Sequence, residues 1–176
     1  GVFTLARHRI VWLFVLMISA TFTGRVIGRY EEVLESAVIL ATFIPMLMDT
    51  GGNAGAQASS LIIRGLALGE IEKSDLPGIL FKEMRVGVLV GLGLATANFI
   101  RLAFFEKVEP MVALAVCSTL VFTVTTAKTM GGLLPIIAKS LKLDPAIMAA
   151  PLITTIVDTI SLMIYFYFAT TFLKLV

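Results

Sequence analysis

Five apolar stretches, at about residues 10–24, 33–50, 86–105, 110–130 and 146–170, occupy most of this 176-residue chain. A helix that crosses the hydrocarbon core of a bilayer needs about 20 predominantly apolar residues, and these stretches are built on that scale. They predict an all-α integral membrane protein with five transmembrane helices. Composition agrees. The chain is 58% hydrophobic and only 15% charged, against about 25% charged in soluble domains, and its mean hydropathy is +0.98. A net charge of +2 suggests no basic surface for nucleic acid. The single cysteine, Cys117, excludes a disulfide within the chain and reads as packing. The first apolar run lacks a small-residue cleavage pattern.

The polar connections set an orientation. With the N-terminus inside, nine basic residues fall on the inner side: Arg7, Arg9, Arg64, Lys73, Lys82, Arg85, Lys128, Lys139 and Lys142. Five fall outside: Arg25, Arg29, Arg101, Lys107 and Lys174. This excess predicts a cytoplasmic N-terminus and an external C-terminus in the cell (inner) membrane. His8, between two arginines, is expected at the surface. Two inner connections, 59–69 and 133–143, are apolar but short, and read as re-entrant or interfacial helices. Each follows a glycine pair, Gly51-Gly52 or Gly131-Gly132, which hints at an internal repeat. Pro45 inside the second run predicts a kink.

Polar residues inside these runs are the candidates for function. In the fifth run Thr154, Asp158, Ser161 and Tyr165 recur at spacings of 4, 3 and 4, which places them on one helical face. In the second run Glu35, Thr42 and Asp49 recur every seven residues, and Asn53 and Gln57 extend the face if the helix continues. An acid at membrane depth calls for a cation, a partner or water. With Lys128 and Arg101 assigned to span ends, no base is expected at the depth of Asp49 and Asp158. The bland reading is that both acids only glue helices together. Gly87, Gly91 and Ala95 have the small-xxx-small spacing of close helix packing.

Enzymatic readings are weak. Asp49-Thr50-Gly51 matches an aspartic-protease triplet, but it ends an apolar helix rather than sitting on a β-loop. No Lys-Ser or Lys-Thr follows the glycines as a P-loop would require. The chain is therefore expected not to be an enzyme.

Residues 45–57, Pro-Met-Leu-Met-Asp-Thr-Gly-Gly-Asn-Ala-Gly-Ala-Gln, closely resemble the signature of the MgtE family of magnesium channels. A second block agrees: Gly132-Leu133-Leu134-Pro135, then Asp144-Pro145-Ala146, then Pro151 through Asp158. The resemblance covers essentially the whole chain. It implies a homodimer in the lipid bilayer, with five transmembrane helices per subunit and a pore near the dimer axis lined by the second and fifth spans. It places hydrated Mg²⁺ at Asp158, with Thr154 and Ala150 one and two turns before it. Asn53 to Gln57 are placed toward the cytoplasmic end. Family members usually carry soluble regulatory domains before the first span. Those are absent here, which suggests an isolated transmembrane part or a short form.

Together these readings predict a Mg²⁺-selective cation channel. Asp158 would be the metal contact, and Asp49, Glu35, Asn53, Gln57, Thr154, Ala150 and Ser161 would line the path. The runner-up is a secondary transporter that couples a divalent cation to Na⁺ or H⁺. On this view residues 45–57 form the kink and the inner mouth.

Overall fold

The computed structural model describes residues 1–175, including every side chain among them except those of Leu5, His8, Arg9 and Ala150. The expectations for the side chains of His8 and Ala150 therefore lie outside the described residues. The chain folds as α1 (Val2–Arg29), a short α2 (Glu31–Ser36), a 3₁₀ stretch (Val38–Phe43), α3 (Ile44–Leu68), a 3₁₀ turn (Lys73–Asp75), α4 (Leu76–Ile100), α5 (Pro110–Ser140) and α6 (Pro145–Leu173). A π-helical turn (Arg101–Phe105) closes α4. Among the described residues there is no strand.

Four helical stretches are long and apolar enough to cross a membrane: Ile10–Arg29, Lys73–Phe105, Pro110–Ser140 and Pro145–Leu173. The expected crossing at 33–50 is not one helix. Its backbone turns at Ala37 (φ −142°, ψ 72°), tightens into the 3₁₀ stretch, and re-enters α geometry only at Ile44. This break separates Glu35 and Thr42 from Asp49, so the seven-residue spacing does not put the three on one face. Pro45 stands in the first turn of α3. Its missing N–H has no intrahelical partner to lose there, so it starts a helix rather than kinking one.

The glycines do not end α3. The helix runs unbroken through Gly51 and Gly52 to Leu68, and the supposed re-entrant segment at 59–69 is its final turns. It closes at Gly69, whose φ of 72° is left-handed, and the Glu70 N–H reaches the Gly65 carbonyl at 2.9 Å. Glycine takes that conformation without a Cβ penalty. Residues 133–143 are likewise no separate segment, because α5 continues to Ser140. Both glycine pairs thus lie within long helices. Polar residues extend helices that hydropathy alone would stop, and α4 accordingly starts at Leu76, before Lys82 and Arg85.

Helix α5 is the scaffold, packed against α3, α4 and α6, while α1 leans on α6. Small residues make the close crossings. A Cβ at Gly87 would stand 2.7 Å from the Thr125 Cα, and one at Gly91 would stand 3.0 Å from the Val121 Cα. The 87–91–95 spacing is therefore the α4–α5 seam. A Cβ at Gly131 would strike the Gly55 carbonyl and stand 2.9 Å from the Ala58 Cβ. Helix α6 begins with Asp144 as N-cap, its carboxylate accepting the Ala146 N–H at 2.9 Å, followed by Pro145 in the first turn.

Candidate functional site

Apart from Glu35, the sequence-predicted residues lie on α3 and α6, and the crossing of these two helices sets the site. A Cβ at Gly55 would strike Ile153, one at Gly52 would lie 3.8 Å from Thr154 Cγ2, and one at Gly51 would stand 2.7 Å from Val157 Cγ1. Helices α3 and α6 therefore run antiparallel in close contact. Moving one turn from Gly55 to Gly51 on α3 moves one turn from Ile153 to Val157 on α6. That register brings Asp49 level with Asp158, because each lies within two residues of the Gly51–Val157 contact. Asp158 is the fourteenth residue of the 29-residue α6, so Asp49 stands level with the middle of that helix.

The α6 face is built as its spacing predicts, but its members do different things. Asp158 is half-buried, and its Oδ1 is buried without a hydrogen-bond partner. Ser161, one turn further, is 1% exposed, and its Oγ also lacks a partner. Tyr165 is fully buried and donates its hydroxyl to the Leu40 carbonyl at 2.9 Å, which ties α6 to the 3₁₀ stretch before α3. Thr154 is half-buried and donates to the Pro151 carbonyl at 3.0 Å. Thr123 of α5 is one of several serines and threonines in the fourth apolar run, whose spacing alone does not say which of them faces the site. It sits against Gly51, and its Oγ1 is a third buried atom without a partner.

On α3, Asp49 and Asn53 are exposed, and the Asn53 Nδ2 donates to the Asp49 Oδ2 at 3.1 Å. One turn on, Gln57 is exposed too, but its side chain is tied to α5. Its Oε1 accepts from the Lys128 Nζ of α5 at 3.1 Å. Lys128 is 7% exposed and lies within α5. It is not a loop charge at a span end, and it leaves the topological count of inner-loop charges. The signal for this was its place in an otherwise apolar run, which cannot say where a lysine points. Glu35 is exposed on α2, beyond the break.

From Gly52 and Thr154 a cleft of about 420 Å³ opens between α3 and α6 toward Ser60, Arg64 and Ala146. The α3 residues that line it follow Asp49 and Asn53 along the same side of the helix. Among the described residues no basic side chain pairs with Asp49 or Asp158, and Arg101–Glu106 at 2.6 Å is the salt bridge that forms. Nor do three His, Cys, Asp or Glu side chains cluster among them. The arrangement can attract a cation through two carboxylates at one depth. It cannot surround a bare one with protein oxygens from these acids alone.

Residues 44–168 match a family model, MgtE, described as a divalent cation transporter. The chain is 34% identical over 168 residues to the magnesium transporter MgtE of Bacillus subtilis, covering 96% of this chain and 37% of that protein. It is 35% identical over 158 residues to the magnesium transporter MgtE of Thermus thermophilus, covering 89% and 34%. It is 30% identical over 169 residues to the Enterococcus faecalis protein of that name, covering 96% and 37%. The chain spans about a third of the length of these curated relatives.

Proposed function

The chain belongs to the MgtE family of divalent cation transporters, and from that premise we propose that it forms a Mg²⁺-selective channel in the cell (inner) membrane. The observation that carries this reading is Asp158, whose buried Oδ1 has no partner at mid-helix, level with the exposed Asp49. An unpaired carboxylate at that depth is costly unless a cation or water meets it. Mg²⁺ dehydrates reluctantly and demands near-octahedral oxygen coordination. Two acids at one level offer charge and acceptors to the ion's water shell without replacing it. Charge then favours divalent over monovalent cations, and shell size favours Mg²⁺.

In this reading the channel is a homodimer. Asp158 from each copy faces the ion across the axis, and α3, with the 3₁₀ stretch before it, makes the fifth crossing. The N-terminus is cytoplasmic and the C-terminus external. Asn53 and Thr154 line the path beside the acids, and the α3–α6 cleft is its inner vestibule. The magnesium transporters named above support the choice of ion.

A second reading is a secondary transporter that couples a divalent cation to Na⁺ or H⁺. The broken backbone between Ser36 and Ile44 favours it, because discontinuous helices are a device of that class. Liposome flux tests both. Asp158→Ala should abolish Mg²⁺ uptake while the protein stays dimeric, and wild-type uptake should ignore imposed Na⁺ and pH gradients. Undiminished uptake by the variant refutes the ion site, and gradient-driven uptake selects the coupled transporter.

A further inference from the structure

Lys128 joins the polar side of α3 to the α4–α5 seam. Its Nζ reaches across to the Gln57 Oε1 at 3.1 Å, while its stem lies beside α4, where a Cβ at Gly87 would be 3.4 Å from the Lys128 Cβ. Glu83 lies on the other side of that seam. It is 8% exposed, and a Cβ at Gly132 would be 3.2 Å from the Glu83 Cγ. Gly87 follows Glu83 by four residues and Gly132 follows Lys128 by four, so the two charges stand about one turn apart on facing helices. They form no ion pair within 4 Å. At low dielectric a counter-charge at that range still matters.

A buried ammonium is an expensive way to fasten two helices, since an apolar pair often holds them as well or better. What Lys128 does, and an apolar residue cannot do, is fix which end of the Gln57 carboxamide points outward. Lysine only donates, so it claims the amide oxygen. The amide N–H₂ is then left for the exposed side of α3. The waters of a hydrated cation present hydrogens outward and seek acceptors, so Gln57 held this way repels such an ion. Asp49 and Asn53 supply acceptors, and one turn further on the acceptor is withdrawn. Conduction requires an ion to leave as readily as it enters.

Resting on the channel reading above, we propose that Lys128 is a positioning residue that withdraws the Gln57 oxygen from the pathway and so lets the cation go on the inner side of Asp49. The chemistry recognised is that of a hydrated divalent cation.

The test is Mg²⁺ uptake into liposomes as a function of Mg²⁺ concentration. Lys128→Met frees the oxygen, so the half-saturating concentration should fall at least threefold and the maximal rate should fall with it. Lys128→Arg keeps a donor and should match wild type. Lys128→Met combined with Gln57→Leu removes the freed oxygen and should restore the wild-type half-saturation. A purely structural lysine lowers the maximal rate without tightening half-saturation. That result overturns the proposal, as does a double variant that stays tight. If Lys128→Met does not fold, Gln57→Glu decides: it keeps one oxygen on Lys128 and offers a second, so half-saturation should fall, and an unchanged value refutes the proposal. Asp158→Ala is run alongside. Its full activity would refute the ion site, whereas the half-saturation shift reports on Lys128 alone.

Discussion

Gly51 of α3 lies so close to α6 that a methyl group there would stand 2.7 Å from the Val157 Cγ1 and 2.9 Å from the Thr123 Cγ2. Methyl carbons do not approach valine and threonine that closely without something moving, so the crossing that levels Asp49 with Asp158 depends on a bare backbone at this position. Gly51→Ala should push α3 from α6 and cost about 1–3 kcal/mol, as overpacking does. A thermal melt of the purified protein in detergent checks it. A melting temperature at or above wild type would show that the crossing is looser than described.

Tyr165 and Leu40 are 125 residues apart in sequence and joined at 2.9 Å. Tyr165→Phe keeps the packed ring and removes the donor, leaving a buried carbonyl without its phenol. Loss of about 1–3 kcal/mol is expected. Faster hydrogen exchange should appear in the 3₁₀ stretch Val38–Phe43 rather than across the whole protein.

Helix α1 is held to α6 partly by the contact between the Ser19 and Thr155 hydroxyls at 2.7 Å. A double-mutant cycle of Ser19→Ala and Thr155→Val should give a coupling of about 0.5–1.5 kcal/mol, the range for hydrogen bonds between membrane helices. Strict additivity would mean that the contact contributes nothing.

The two acids should not be equivalent. Asp49 is exposed and already accepts a hydrogen bond from Asn53, whereas Asp158 holds a buried, unpartnered oxygen. Asp158→Asn should reduce Mg²⁺ uptake by roughly a hundredfold or more, comparable to removing about 3 kcal/mol of ion stabilisation. Asp49→Asn should cost about tenfold or less. Equal losses would mean that both acids hold the ion directly.

The α6 face was legible because α6 is one uninterrupted helix, so the 4–3–4 spacing of Thr154, Asp158, Ser161 and Tyr165 translates directly into a shared side. What each residue does there was not legible, because the partner of Tyr165 is a carbonyl on a distant stretch. The Glu35–Thr42–Asp49 spacing misled because it presumes a helix that the turn at Ala37 interrupts. The glycine pairs misled in the opposite direction. They looked like helix ends, yet they serve as contact points inside helices, where neighbouring helices pack against them. Lys128 was assigned to a span end because hydropathy registers its charge but not its direction. Its acceptor, Gln57, is 71 residues away. Local pattern located four of the five apolar helices and the shared side of α6, while the level at which Asp49 stands became visible only in the packing.

The most direct measurement is an anomalous diffraction map of crystals grown with Mn²⁺ in place of Mg²⁺. Hydrated-ion recognition predicts a peak on or near a two-fold axis, facing Asp158 from both copies at a separation that leaves room for water between metal and carboxylate. A peak elsewhere, or no peak beside Asp158 in wild-type crystals under saturating Mn²⁺, would contradict it.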